Sequence, residues 1–316
     1  MTRIHWMNAC IQIPVSHMNS ETLENPGYGL PRTGAATLDV LRAGQPGDNA
    51  KGMAFIDLDG TLLGPEKLVS PENARAVERL RAAGFEIVIA SGRHHQNILR
   101  MQDRIGPMDW VVSSQGAVVQ HVKNNRILHE LTLPTALALE LMDFGRKSGL
   151  SLIGYHREGV FIEKESEWTD LYGQRCGWAP PLNDLVQLAG TGFQKVLLSA
   201  SAARIDEIEG ELLSKFGDRV YAVETEHEVI EFLSPKANKA AGAQALIDER
   251  GILRENTVAF GDGNNDIELL EWAGFSAAMG HGWEAAKRAA TVVSAPGSAG
   301  TAFARGVDAV LELVAA

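Results

Sequence analysis

The chain reads as an α/β protein, a mostly parallel sheet into which a second, α+β unit is inserted. Three observations predict this. From Met53 onward, short strands apolar on both faces alternate with amphipathic helices, and strands of that kind belong inside a helix-covered parallel sheet. The rhythm breaks over about residues 122–234, where strand-like pieces fall at hairpin spacing. It then resumes to the C-terminal end. The expected division is an irregular extension over 1–50, a core from 51–121 and 235–316, and an inserted unit over 122–234.

Each element has a local cause. Residues 1–50 scatter Pro, Gly, Asn and Ser without a sustained period, a composition that buries little apolar surface. "MAFIDL" is a short buried strand. "SPENARAVERLRAAG" carries Ser70 as N-cap, Pro71 at the first helical position and Gly84 as a stop. "FEIVIAS" is the next strand, followed by a helix over about 94–104 and the strand "WVVSS". Strand–helix–strand at this rhythm implies right-handed crossovers and a parallel sheet, whose active sites lie at the carboxyl ends of the strands. In the insertion, "RILHEL", "LSLIGYH", "GVFIEK", "FQKVLLS", "RVYAVET" and "EVIEFL" read as strands, with helices near 135–148 and 202–216. Helix 238–250, strand "NTVAF", helix 266–273, strand "FSAAM" and a last helix near 301–314 complete the core.

Composition narrows the function. In 316 residues, 45% hydrophobic and 22% charged side chains describe an ordinary globular chain. A net charge of −11 argues against a nucleic-acid partner, because phosphate backbones select basic surfaces. A small phosphorylated ligand stays compatible, since a metal and a few cations meet its charge locally. Cys10 and Cys176 stand far apart in no metal-ligand spacing, so neither a disulfide framework nor a zinc site is implied, and a reducing, cytoplasmic setting is expected. No apolar run approaches the ~18 residues of a membrane span, so no membrane partner is expected.

Four short elements carry the chemistry: "DLDGT" at 57–61, "SGR" at 91–93, "NKA" at 238–240 and "GDGNND" at 261–266. Each is weak alone, but all four sit at strand ends or helix starts. Buried carboxylates cost several kcal/mol unless compensated, and phosphoryl transfer explains what compensates them. A carboxylate attacking a phosphate dianion needs a divalent cation between the two, and hard oxygen ligands suit Mg²⁺. Asp57 and Asp262 can supply carboxylates, the turn after Leu58 a backbone carbonyl, and Asp266 can orient ligands or waters behind them. Lys239 offsets the charge of Asp57 and phosphate. Ser91 and the Gly92 N–H form a phosphate cradle at a helix start.

This set resembles the haloacid dehalogenase superfamily, matching all four of its motifs over about residues 51–316. The insertion between the second and third motifs is similar to the type IIB cap of Cof-like phosphatases, and "AFGDGNNDIELLEWAGFSAAMG" is especially similar to that subfamily. The resemblance implies a Rossmann-like core with an α+β cap, and a Mg²⁺-dependent phosphatase acting on small phosphorylated metabolites such as sugar phosphates or pyridoxal 5′-phosphate. It also implies roles. Asp57 is the nucleophile that becomes an aspartyl-phosphate, and Asp59 the general acid and base. Asp57, the Asp59 carbonyl and Asp262 hold the metal. Leu58 (through its backbone), Ser91, Gly92, Lys239 and Asn265 contact phosphate. The chain departs from the family at Gln115–Gly116, often Asn-Gly, and at Ala240, often Gly. A phosphomutase of the same superfamily and a non-catalytic phosphometabolite-binding protein are the alternatives, but Asp59 favours a hydrolase, since related pumps that preserve their phospho-enzyme carry threonine there.

Substrate selection is expected from the insertion. The segment "GYHREGVFIEK" at 154–164 offers Tyr155, His156 and Arg157 on an apparent hairpin, with Arg93 as the core-side counterpart. His94 and His95 read equally as substrate-facing or helix-surface residues. Trp272 and Trp283 read as packing residues, and "EKESE" at 163–167 as a solvated face.

Overall fold

The computed structural model describes residues 52–106 and 108–315; the irregular extension expected over 1–50 lies outside them. The chain enters the core through β1 (Gly52–Ile56), α1 (Pro71–Ala82), β2 (Phe85–Ala90), α2 (His95–Leu99) and β3 (Trp110–Ser113), then turns back through β4 (Val118–His121) and β5 (Ile127–Glu130). The inserted unit follows: α3 (Thr135–Lys147), β6 (Ser151–His156), β7 (Gly159–Ile162), α4 (Glu167–Cys176), β8 (Phe193–Ser199), α5 (Ala202–Phe216), β9 (Tyr221–Glu226) and β10 (Val229–Leu233). The core resumes with α6 (Lys239–Arg250), β11 (Thr257–Gly261), α7 (Ile267–Trp272), β12 (Phe275–Ala278), α8 (Glu284–Ala289), β13 (Val292–Val293) and α9 (Ala302–Ala315).

Two sheets result. The eight-stranded sheet runs β13-β12-β11-β1-β2-β3-β4-β5. Its first six strands are parallel, and β4 and β5 add antiparallel at one end. β1 is buried along its whole length. Ala54 and Ile56 pack on one side with Val77 and Leu80 of α1 and Phe303 and Val307 of α9. Met53 and Phe55 pack on the other with Leu246 and Ile247 of α6 and Leu269 and Trp272 of α7. A strand with two buried faces therefore reads as continuous apolar sequence, and the α/β architecture is as expected. Ser70 caps α1 by accepting from the Asn73 N–H at 3.2 Å.

Two expectations need correction. The strand Ile127–Glu130, read with the inserted unit, pairs instead with β4 and extends the large sheet; the β3–β4–β5 meander covers an edge that would otherwise stay open. The helix expected over 94–104 divides into α2 and a four-residue turn at Gln102–Ile105, because the Met101 N–H closes onto Ile98 rather than continuing the helical ladder.

The smaller sheet is antiparallel, in the order β7-β6-β8-β10-β9. Its alternation sets the site. Leu152, Val196, Leu198, Ile230 and Phe232 face α3 and α5, packing with Leu141, Phe144 and Phe216. Ile153, Tyr155, Leu197 and Val229 lie in a separate cluster with Tyr172 of α4. Period two in the strands thus leaves one face to build a core and the other to meet the strand ends of the large sheet. Among the described residues, no helix is long and apolar enough to cross a membrane.

Candidate active site

Parallel strands deliver their carboxyl ends to one edge, and the chemistry-bearing side chains meet there. Asp57 follows β1, its N–H bonded to the Phe260 carbonyl at 3.0 Å. Asp262 follows β11, and Asp266 sits in the tight turn that leads into α7. Lys239 is the first residue of α6, behind the N-cap Asn238. Its ammonium, fully buried, donates to Asp57 Oδ1 and to Asp266 Oδ1, each at 2.6 Å. Asp266 Oδ2 accepts the backbone N–H groups of Asp262 (3.0 Å) and Gly263 (2.9 Å). Both Asp266 oxygens are thus engaged, one by Lys239 and the other by the loop that carries Asp262. Thr61 Oγ1 donates to Asp262 Oδ1 at 2.7 Å. Gly60, at φ +85°, has no room for a side chain, since a Cβ would lie 2.3 Å from Asp262 Oδ2.

Asp57, Asp262 and Asp266 each offer an oxygen within 4.8 Å of the others. Three carboxylates face one lysine, and the electrostatics reflect it. Burial pushes the Asp57 carboxyl well above its usual range, with Asp266 and Asp262 adding to the rise against the opposing pull of Lys239. Burial and the Asp266 charge push Asp262 up to about 7. Asp57, Asp262 and Asp266 form an all-oxygen donor set that is costly to ionise unaided and that could hold a hard divalent cation.

Asp59 differs. Burial alone would raise its pKa, but the Arg93 guanidinium holds it with two bonds, Nε to Oδ2 at 2.6 Å and Nη2 to Oδ1 at 2.8 Å. Lys67 adds a third at 2.8 Å. Together they bring Asp59 down to about 2.

Ser91 follows β2, but His94 caps α2. The Ser91 hydroxyl accepts from the Arg93 N–H at 3.2 Å, so the cradle is a serine turn ahead of the helix and not the helix start the sequence suggested. Leu58 buries its side chain in the core. Asn265 donates to Gln115 Oε1 at 3.0 Å.

A cavity of about 470 Å³ lies between the two sheets. The core lines it with Asp57, Asp59, Ser91, Gly92, Arg93, Asp262 and Asn265, and the insert with Tyr155, Trp168, Tyr172, Arg175, Leu197, Glu224, Glu226 and Glu231. Of the expected insert residues, Tyr155 is in place, its hydroxyl 2.6 Å from that of Tyr172. His156 and Arg157 are not. His156 alternates to the opposite strand face and meets Thr191 at 2.7 Å; Arg157 is exposed and pairs with Glu130. His94 is buried, with its Nε2 at 2.9 Å from the His156 carbonyl oxygen, and burial beside His95 lowers its pKa to about 3. Trp272 packs edge-on to Phe55 as expected. Trp283 does not: it is 48% exposed and lines the cavity. In "EKESE", Ser166 caps α4 and Glu163 binds Arg146.

Sequence reasoning missed Lys67, Arg175, Lys195 and Glu231. A usable signal existed for the last two, which are single charges of opposite sign inside the apolar strands "FQKVLLS" and "VIEFL".

The family model described as haloacid dehalogenase-like hydrolase matches residues 54–302. A Haemophilus influenzae protein is 31% identical over 221 residues, 69% of this chain and 81% of the relative. The pyridoxal phosphate phosphatase of Escherichia coli is 27% identical over 251 residues, covering 75% and 91%. In structure, a haloacid dehalogenase-like hydrolase from Bacteroides thetaiotaomicron superposes with a TM-score of 0.73 at 23% identity, over 82% of this chain and 99% of the other.

The carboxylate cluster has a pH signature. Asp262 titrates near 7 when folded, against an ordinary value of 3.8. Between those values the folded state binds more protons than the unfolded, so stability falls as pH rises through the window. A divalent cation requires ionised ligands, so its stabilisation grows in the same direction. Thermal melts with chelator and with Mg²⁺ check this: the cation-induced rise in Tm should be larger near pH 8 than near pH 5.5. Equal shifts at both would exclude these carboxylates as the cation site.

Proposed function

The chain belongs to the haloacid dehalogenase-like hydrolases, as one of their phosphatases, and from that premise we propose that it hydrolyses small phosphorylated metabolites with Mg²⁺, through an aspartyl-phosphate on Asp57, in a reducing, cytoplasmic setting. The observation that carries the reading is the buried Asp57–Lys239–Asp266 bridge beside Asp262, at the cavity between the two sheets. Asp57, Asp262 and the Asp59 carbonyl would hold Mg²⁺, which would supply charge neutralisation between carboxylate and phosphate.

The chain's own groups do the rest. Lys239 fixes one oxygen of Asp57 and leaves the other to attack phosphorus. Ser91, the Gly92 N–H, the Leu58 backbone, Lys239 and Asn265 surround the phosphoryl oxygens. Asp59, ionised by Arg93 and Lys67, takes up a proton from solvent when substrate phosphate competes for the guanidinium, and so becomes an acid. It then protonates the leaving oxygen, and in the second step takes a proton from the hydrolytic water. The insert shields the cavity from bulk solvent, and the second step admits the one water that hydrolyses the aspartyl-phosphate.

The cavity also limits the leaving group. Its cations are already matched: Arg93 and Lys67 by Asp59, and Arg175 by Glu228 at 2.9 Å. Glu224 and Glu226 line the cavity along with Trp168 and Tyr172. Such a lining suits a leaving group with an apolar face and hydrogen-bond donors and repels a second anion. The Escherichia coli relative is named for pyridoxal phosphate, and that ester and hexose monophosphates are the substrates proposed here.

Two outcomes test the reading. Asp57→Asn abolishes turnover of p-nitrophenyl phosphate, while Asp59→Asn lowers kcat for alkyl esters by ~10²-fold or more and slows the first step less with aryl esters, whose leaving group needs little protonation. Near-normal activity of Asp57→Asn removes the mechanism.

In a panel of phosphate esters, metabolites whose single phosphate is their only anionic group should exceed fructose 1,6-bisphosphate and 3-phosphoglycerate by ~10-fold or more in kcat/KM, the scale of a like-charge penalty. An ester with a second anionic group at the top of the ranking would refute the cavity argument, and product analysis showing phosphate moved rather than released would establish a mutase instead.

A further inference from the structure

We propose that Lys195 and Glu231 are positioning residues: from the inserted unit they set the two core loops that grip phosphate, so the grip is complete only when the insert is seated. The inference rests on the phosphatase reading above, because it concerns what orients that reading's phosphate site.

The two residues lie on adjacent antiparallel strands, one register step of two apart and so on the same sheet face, the face turned to the core. Their side chains are only 1% and 8% exposed. Lys195 Nζ donates to Glu231 Oε2 and to the carbonyl of Gly92, both at 2.8 Å, and lies 4.1 Å from the centre of the Tyr155 ring. A cation from the insert therefore holds the backbone of the phosphate cradle.

The second arm runs through Gln115. Its Nε2 donates to Glu231 Oε2 at 3.1 Å, and its Oε1 accepts from Asn265 at 3.0 Å. The amide of Asn265 is thereby oriented through Gln115 by a carboxylate of the insert. Gln115 occupies a turn that L-residues adopt reluctantly, with Ser114, Gln115 and Gly116 at φ +50°, +57° and +86°. That turn is stitched to both sides. Its N–H groups reach Arg93 O (2.9 Å) and Ser91 O (3.2 Å) in the cradle, while Ser114 Oγ reaches Gln194 of the insert at 3.0 Å. A strained turn bonded at once to the cradle, to Asn265 and to the insert is the physical link between them.

A buried ion pair contributes little net stability when replaced as a unit by apolar side chains, and this separates positioning from folding. In the full-length protein with Mg²⁺, Lys195→Met/Glu231→Met should melt close to wild type. Inhibition by orthophosphate should weaken by ~10-fold or more, and kcat/KM for p-nitrophenyl phosphate should fall comparably. Glu231→Gln cuts the Gln115 arm with less disturbance. In that background Gln115→Ala should cost far less than in wild type, because coupled residues are non-additive. Orthophosphate inhibition within about twofold of wild type in both variants, or full additivity of Glu231→Gln with Gln115→Ala, overturns the proposal. If the double Met variant fails to fold, the Glu231→Gln cycle decides. Wild-type protein lacking Mg²⁺-dependent hydrolysis would instead bring down the phosphatase reading, and this inference with it.

Discussion

One buried ammonium organises this protein. Lys239 touches Asp57 and Asp266 at 2.6 Å each, and Asp266 in turn holds the backbone turn that presents Asp262. Three strand or helix ends, far apart in sequence, are thereby fixed around a single charge. One cation cannot neutralise three carboxylates away from water, so Asp57 and Asp262 are driven up in pKa. The parallel sheet is what makes such a concentration feasible: it points its carboxyl ends one way and surrounds them with two packed layers that hold the geometry.

The second constraint is the period-two alternation of the smaller sheet. One face is filled by Phe144, Phe216 and Phe232 and builds the insert's own core. The other carries Tyr155, Lys195, Leu197 and Glu231 toward the strand ends. A shift of one residue would exchange these sets. The insert's register therefore decides both its stability and what the cavity presents to a ligand.

Legibility followed the same division. The core strands were readable because burial on two faces leaves continuous apolar sequence, and the acidic, serine and lysine residues stood out at their ends. Asp57, Ser91, Lys239 and Asp262 were singled out this way, and the structure brings them to one edge of the sheet. The insert was less readable, since facing there depends on register. Tyr155 and His156 are neighbours in sequence and lie on opposite faces. Arg157 looked like a ligand-binding charge and is instead spent on Glu130. Trp283 looked like packing because aromatic residues usually are, yet the turn after β12 carries it to the cavity wall, where its N–H meets the Asp262 carbonyl at 2.8 Å. Long-range pairing, invisible in local pattern, decided each case.

Asp57 and Asp59 show how far two carboxylates separated by one residue can diverge. Burial and like charges raise the first, while Arg93 and Lys67 lower the second. The proposed chemistry asks for the reverse, an ionised nucleophile and a protonated acid. Each inversion has a matching ligand. A divalent cation at Asp57 and Asp262 favours their ionised forms, and a phosphate dianion drawing on Arg93 loosens its hold on Asp59. On this reading the protein's own charges keep the catalytic pair out of its reactive protonation state, and metal and substrate together install it. Reactivity is thereby confined to the ternary complex, within a cavity whose wall is the inserted sheet.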